Sequence, residues 1–408
     1  MKILIYGINY WPELAGIGKY TGEMSHWLSS RGHDIRVVVA PPYYPEWSVL
    51  KGYSSCRWKL EIVRGVRIYR CPLWIPIKLT AVKRLLHLVS FAISSAPVMI
   101  WQGMWRPDLV LVVEPPLACA PFALLAARLS GAKAVLHIQD FEVDAAFEMG
   151  FFSHARMRGV VSSIERWLMA RFNRISTISN RMMGRLAKKG IAHGKAFIFP
   201  NWVDTEKIRP YETVSPLREN LGISDDKVVA LYSGNMGEKQ GLEVLIEVAN
   251  RLTNDSSIHF IMCGKGSAYA RLRALGASLS NITWLPLQPI EKLNELLNAA
   301  DIHLLFQRAD AADLVMPSKL TGIMASGRPV VATAYPGTEV WEVVQGRGIP
   351  VEPDNVKATA DAIQKLAADA GLRKSLGMAA REYAVTELDK EQILRRFEAE
   401  LVKLVEEG

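Results

Sequence analysis

Short runs of apolar residues alternate along the chain with longer stretches whose apolar positions recur every three or four residues. The runs KILIY (2–6), IRVVVA (35–40), LVLVV (109–113), AVLHI (134–138), RISTI (174–178) and AFIF (196–199) form a first set. VVALYSG (228–234), IHFIMCG (258–264), ITWLPL (282–287), IHLLF (302–306) and PVVAT (329–333) form a second. Runs that are mainly apolar, rather than apolar at alternate positions, suit strands covered on both faces. Helix-length spacers between them suit parallel connections. Two such sets predict an α/β protein of two doubly wound, Rossmann-like domains. A length of 408 residues agrees, because one core rarely grows that large.

The polar stretch that follows FPNWVDTEKIRP (199–210) predicts a linker near 205–225. The expected domains are therefore 1–205 and 206–385, with residues 386–408 forming a terminal helix. That helix, over roughly 390–407, carries Ile393, Leu394, Phe397, Leu401, Leu404 and Val405 on one face and can pack back on the first domain. The stretch Leu85 to Trp105 is apolar for about the length a bilayer needs. His87, three serines and Pro97 interrupt it, so it reads as a buried or membrane-facing helix rather than a span. Met1–Tyr6 runs directly into a strand and no signal peptide is expected.

Charge divides the chain unevenly. The net charge is +8, yet residues 1–210 hold 28 Lys and Arg against 14 Asp and Glu, leaving 21 against 27 in residues 211–408. A basic first half implies a polyanionic partner: nucleic acid, anionic lipid or a phosphorylated substrate. No aromatic–basic nucleic-acid module accompanies it, so no nucleic acid is expected as partner. Within the first half the basic residues crowd between Lys51 and Arg106 and between Arg156 and Lys195. Trp58, Trp74, Ile75, Ile77, Leu79, Val82, Leu85 and Leu86 are interleaved with the first cluster, a pattern suited to an anionic membrane surface. Cys56, Cys71, Cys119 and Cys263 form no CxxC pair, and no His/Cys group has zinc spacing. They read as reduced thiols of a cytoplasmic protein, with no metal and no cofactor expected.

In parallel sheets ligands sit beyond the carboxyl ends of the strands, so candidate chemistry is sought there. The loop after the first strand brings Gly16 and Gly18 before a helix that reaches about Ser30. It is no GxGxxG fingerprint, and no acidic residue ends the second strand as a dinucleotide site would require. After AVLHI come Asp140, Glu142 and Asp144, with His137 inside the strand. Asp140 is the candidate catalytic carboxylate; His137, Glu142 and Asp144 are candidates for acceptor or sugar contact. The segment Ser233–Gly234–Asn235–Met236–Gly237–Glu238–Lys239–Gln240–Gly241 leads into an amphipathic helix. Lysine after a glycine-rich turn at a helix start suits a diphosphate, bound by Lys239 and by turn amides. Gly264 and Gly266 offer a second close approach beside it. Pro317, Ser318 and Lys319 open a short helix, with Ser318 as N-cap and Lys319 as a second phosphate-directed cation.

Together these loops resemble the retaining, GT-B-fold, nucleotide-sugar glycosyltransferases of family four. The resemblance rests on the Gly16-x-Gly18 loop, the SGN…EKQGL segment, the Gly264-x-Gly266 loop and the PSKL…MASGRPVVAT block, and covers nearly the whole chain. The start, through HDIRVVVAPPYYPEW, is more similar still to the colanic-acid fucosyltransferase group of exopolysaccharide assembly. The resemblance implies two domains facing a central cleft, a nucleotide-sugar donor, retention of configuration and a lipid-linked saccharide acceptor at the inner membrane face. Three features depart from the family pattern. Two glutamates common in relatives would fall at Leu314 and Gly322. An arginine that many relatives carry is replaced by Asn235, and a histidine before the aspartate by Gln139. Asp310, Asp313 or Glu339 are candidates to replace the glutamates. A nucleotide-sugar epimerase of the same architecture is the alternative, and a basic nucleic-acid-binding protein a more distant one.

Overall fold

The buried apolar runs become parallel strands in two separate sheets. The computed structural model describes all residues except 15, 79, 149–154, 310–316 and 408. The chain divides into unit 1, Met1–Pro200 with Ile393–Gly408, and unit 2, Asn201–Gln392.

Unit 1 holds β1 (Lys2–Tyr6), β2 (Asp34–Val39), β3 (Lys59–Val63), β4 (Val66–Arg70), β5 (Leu109–Glu114), β6 (Lys133–Ile138), β7 (Arg174–Thr177) and β8 (Ala196–Ile198). Their order across the sheet is β3-β4-β2-β1-β5-β6-β7-β8. Every pairing is parallel except β3 with β4. The central β1 is buried on both faces, and its Ile5 pairs with Val37 and Leu111. Its helices are α1 (Gly16–Ser30), α2 (Ala81–Gly103), α3 (Ala120–Ser130), α4 (Glu142–Glu148), α5 (Ala155–Met169) and α6 (Asn180–Lys188).

Unit 2 contains β9 (Val228–Asn235), β10 (Ile258–Lys265), β11 (Ile282–Leu285), β12 (Ile302–Leu305), β13 (Val330–Thr333) and β14 (Gly348–Val351), in the all-parallel order β11-β10-β9-β12-β13-β14. Its helices are α7 (Pro216–Asn220), α8 (Glu243–Arg251), α9 (Tyr269–Leu275), α10 (Leu293–Asn298), α11 (Lys319–Ala325), α12 (Glu339–Val344), α13 (Val356–Ala368) and α14 (Ala370–Glu387). Helix α15 (Lys390–Glu406) returns the chain to unit 1. There Phe397 stacks on Phe199 at 3.7 Å, and Glu398 accepts from His33 at 2.8 Å.

Three strands lay outside the apolar runs. β3 and β4 form a hairpin turned at Arg64–Gly65, and β3 keeps Lys59, Leu60 and Ile62 exposed, so its pattern is not that of a buried strand. β14 carries Pro350, which an edge strand tolerates because one side of its ladder needs no N–H donor. Two expectations are corrected. Gly16 and Gly18 lie within the first turn of α1 rather than ahead of it. The segment assigned to the linker contains α7 and is tied into unit 2: the Arg218 guanidinium donates to Ala299 O at 2.8 Å and to Asp301 at 2.5 Å.

Helix α2 is long and apolar enough to cross a membrane by length and composition alone. Its inner face nevertheless belongs to unit 1. Ser95 lies 2.5 Å from the Tyr6 hydroxyl, Gln102 accepts from Arg36 at 2.9 Å, and Phe91 and Met99 are fully buried.

Candidate functional site

In unit 2, Lys319 opens α11 and extends across the end of β9. Its Nζ donates to the Tyr232 hydroxyl at 3.0 Å and sits 4.6 Å from that ring's centroid. The Tyr232 hydroxyl in turn donates to Asn235 O at 2.5 Å. Burial lowers the Lys319 pKa to about 8, and no carboxylate among the described residues opposes it. A desolvated ammonium is unfavourable unless an anion or hydrogen-bond acceptors compensate it.

The glycines around it are dictated by close packing. Gly234 has φ +128°, and a Cβ there would fall 2.4 Å from Lys319 Cε. A Cβ on Gly264 would fall 1.9 Å from Gly234 O, and one on Gly266 would fall 2.4 Å from Met236 O. The close approach predicted at Gly264 and Gly266 is therefore that of two chain segments to each other.

The loop after β9 corrects a second expectation. The amides of Gly237 and Gly241, expected to face a diphosphate, are engaged within the loop: Gly237 donates to Gln240 Oε1 at 3.0 Å, and Gly241 to Glu238 O at 3.4 Å. Lys239 is exposed on this turn, and its carbonyl accepts the Arg308 amide at 3.0 Å. A Cβ on Gly241 would meet Arg308 Cγ at 2.8 Å, so Arg308 is a cation beside this loop that the sequence reading missed. Its signal was an arginine three residues beyond the buried strand β12. Asn235 ends β9 and is exposed.

Ser318 occupies the N-cap position of α11, but its side chain accepts no bond from the helix, contrary to the capping role expected. Pro317 O accepts the Leu320 amide at 2.9 Å. Gly322 lies inside α11, where an added Cβ would meet only Leu297 Cδ1 at 3.6 Å. Glu339 begins α12. Asp310, Asp313, Leu314 and Met316 lie outside the described residues.

Unit 1 collects carboxylates at the ends of β5 and β6. Glu142, in the first turn of α4, is half-buried and accepts the Leu117 amide at 2.8 Å. Burial raises its pKa, while the nearby Arg84 opposes the rise. Asp144 and Glu165 share the Lys189 ammonium at 2.6 and 2.7 Å. Asp140, just ahead of α4, is partly buried, and its field raises the pKa of both Glu114 and Glu142. Glu114, at the end of β5, is fully buried, and neither carboxyl oxygen has a partner among the described residues. Burial first, then Glu142 and Glu165, raises its pKa well above the usual range, so it is held as the neutral acid. The sequence reading missed it, although a glutamate closing the buried run LVLVV was visible.

His137 is not an open catalytic group. Its Nδ1 lies 2.9 Å from Ser176 Oγ, its Nε2 lies 2.9 Å from Gln139 Nε2, and burial lowers its pKa to about 3. Gly18 also has a packing reason: a Cβ would fall 2.5 Å from Glu13 Oε2. Glu13 is buried and accepts the amides of Tyr43 and Tyr44, both at 2.9 Å, which joins the loop after β1 to the loop after β2.

Comparison with known proteins supplies the chemistry that this geometry serves. A glycosyl transferase 4-like domain matches residues 15–202, and the glycosyl transferases group 1 family matches residues 214–383. A protein of Escherichia coli (strain K12) named putative colanic acid biosynthesis glycosyl transferase WcaI is 43% identical over 412 residues, which span 97% of this chain and 98% of that one. The chain belongs to this glycosyltransferase family. Sugar transfer therefore displaces both the epimerase and the nucleic-acid readings. The glycosyltransferase also shares its fold with solved structures of low identity. Sucrose-phosphate synthase from Thermosynechococcus elongatus superposes with a TM-score of 0.74 at 14% identity, covering 100% of both chains. Anabaena Alr3699/HepE, solved in complex with UDP and glucose, superposes with 0.70 at 14% identity over 99% of this chain and 100% of that one.

Proposed function

We propose that this glycosyltransferase moves a sugar from a nucleoside-diphosphate sugar, bound in unit 2, to a lipid-linked saccharide in exopolysaccharide assembly of the colanic-acid kind. The observation that carries the donor assignment is Lys319, a half-buried, desolvated ammonium at the carboxyl edge of a parallel sheet, with no carboxylate partner among the described residues. The UDP in the Anabaena structure and the name of the Escherichia coli relative support donor class and pathway.

In the reaction the anomeric C–O bond to the diphosphate breaks, and its electron pair leaves on the diphosphate oxygen. The acceptor hydroxyl oxygen forms the new bond on the face that the diphosphate leaves, with retention, and its proton passes to the departing diphosphate. Lys319, with Lys239 at the exposed turn, stabilises the negative charge that develops there. Asp140 and Glu142 in unit 1 orient the acceptor hydroxyls.

The basic face of unit 1 brings the enzyme to an anionic membrane surface on the cytoplasmic side. The outward stripe of α2, with Val82, Leu86, Ile93 and Ile100 exposed, continued by Met104 at its C-cap, supports this attachment.

A panel of nucleotide sugars, with GDP-fucose first, tests the reading. Nucleoside diphosphate should be released only when acceptor is present, and nucleoside diphosphate alone should protect amides within 225–345 from hydrogen exchange. Protection confined to residues 1–200 would refute donor binding in unit 2. Sedimentation with vesicles tests attachment: binding should need anionic lipid, weaken with salt, and fall when Lys78, Lys83 and Arg84 become glutamate.

A further inference from the structure

A groove of about 490 Å³ opens beside the loops at the carboxyl edge of the unit 1 sheet. The loop after β2 contributes Trp47 and Val49, and the segment after β4 contributes Leu73, Trp74, Ile75 and Ile77. Polar lining comes from Ser48, Ser55 and Cys56 and from Ser90 and Ser94 of α2, whose two hydroxyls are already used. Ser90 Oγ donates to His87 O at 2.7 Å and accepts the Trp74 amide at 3.1 Å; Ser94 Oγ donates to Pro72 O at 2.5 Å. The rest of the lining, with Pro72 and Pro76, is aromatic and aliphatic.

The same bonds strap residues 72–74 onto α2. His87 Nδ1 lies 2.6 Å from Trp74 O, and the His87 ring sits 5.1 Å from Trp47. The groove is thus formed before anything enters it. Its rim leaves Trp74 45% and Ile77 fully exposed, an arrangement that disfavours the bare surface and favours an apolar occupant.

Cations flank this apolar lining. Lys51 and Arg57 lie on the loop after β2; Lys78, Lys83 and Arg84 lie where the segment after β4 enters α2. Arg84 is near enough to act on Glu142 and on Tyr43, whose ring packs on Trp47 at 5.6 Å and on His87 at 4.9 Å. An apolar slot, then a cation cluster, then hydrogen-bonding carboxylates is the order of parts in a lipid diphosphate bearing a sugar.

We infer that the groove is the subsite for the hydrocarbon chain of a lipid-diphosphate-linked acceptor. Lys78, Lys83 and Arg84 take the diphosphate, and the saccharide is directed to Asp140 and Glu142. The inference rests on the lipid-linked acceptor proposed above.

The test is photolabelling of the full chain with farnesyl diphosphate carrying a benzophenone at its far end, read by peptide mass spectrometry. Labels should fall within residues 47–56, 72–77 and 90–94, be competed by unlabelled farnesyl diphosphate, and persist against inorganic diphosphate. Val49→Trp, which narrows the slot, and Ile77→Asp, at a fully exposed position, should each cut labelling at least fivefold while the melting temperature stays unchanged. Competed labels elsewhere in unit 1 would overturn the groove and leave the lipid-linked acceptor standing. Equal competition by vesicles of neutral phospholipid would assign the groove to bulk lipid and overturn the inference. Absence of competed labelling, together with equal use of a water-soluble saccharide acceptor, would overturn the groove and the lipid-linked acceptor together.

Discussion

The two sheets carry opposite charge at the same address. At the carboxyl edge of the unit 2 sheet a half-buried lysine is desolvated with no carboxylate beside it among the described residues. At the carboxyl edge of the unit 1 sheet Glu114, Asp140, Glu142, Asp144 and Glu165 gather, and the one lysine among them, Lys189, is already bonded to two of the carboxylates. The chain-wide charge runs the other way, basic in residues 1–210 and acidic in 211–408. Local sign at each strand end thus opposes the sign of its surroundings. Broad surface charge guides encounter with large charged partners, whereas the few groups at strand ends bind the reacting parts.

Removing the buried cation is the sharpest way to break this contrast. Lys319→Met should lower kcat/KM by about 10²- to 10³-fold, the range for losing one preorganised charge-stabilising donor. It should also stabilise the protein. The Lys319 pKa is about 8 folded against 10.5 for the free side chain. Below about 8 both states are charged and the folded state carries the full burial penalty. Between about 8 and 10.5 the unfolded state binds more protons, so stability of the parent rises with pH, and the variant should lack that rise. Calorimetry at neutral and alkaline pH checks this, and a variant that melts below the parent at neutral pH would mean that the ammonium is compensated in the folded state.

Displacing the cation without removing it should have a smaller effect. Gly234→Ala puts a methyl where Lys319 Cε now lies, so turnover should fall by up to about 10²-fold through misplacement. Unlike Lys319→Met, it should bring no gain in stability. Steady-state kinetics beside a thermal melt separate the two variants.

Lys239 is exposed, and its contribution is correspondingly less. Lys239→Ala should keep the fold and cost about tenfold in rate, the worth of one charge-assisted hydrogen bond. Turnover within threefold of the parent would remove Lys239 from the donor site.

The smallest effect lies in unit 1 and sharpens the other side of the contrast. Glu114 is held protonated by burial and by its acidic neighbours, so the unfolded state releases its proton at lower pH than the folded state. Stability is therefore lost as pH rises above the ordinary carboxyl range of about 4.3. Glu114→Gln removes that loss and should raise the neutral-pH melting midpoint by about 2–4 °C for each kcal/mol relieved. Parent and variant should converge in acid; a difference that persists there would point to packing rather than to the proton.

Most of the parallel core was legible because strands buried on both faces are apolar at nearly every position, as in β1, β5 and β9. The hairpin β3–β4 was not, since exposed positions of β3 interrupt its apolar pattern, and β14 was hidden by Pro350. Lys319, like Lys239, was legible as a cation near a phosphate-binding loop. The desolvation of its ammonium was not, because that depends on Tyr232 and Gly234, which reach it only through the sheet. Glycines misled in one respect. Gly18, Gly264 and Gly266 looked like invitations to a ligand, whereas a side chain or a neighbouring strand occupies the space that a Cβ would need.

The return of α15 to unit 1 bears on the order in which the protein is made. Ile393, Leu394, Phe397, Leu401 and Leu404 are buried, and Phe397 stacks on Phe199 from the end of the unit 1 sheet. Unit 2 is complete once residue 392 has left the ribosome, while the first 200 residues still wait for the apolar face that closes their core. Domains ordinarily mature from the amino terminus during synthesis. Here the first half to be translated is the second to finish, and for the time of translating unit 2 the nascent chain must carry an open apolar seam along β8.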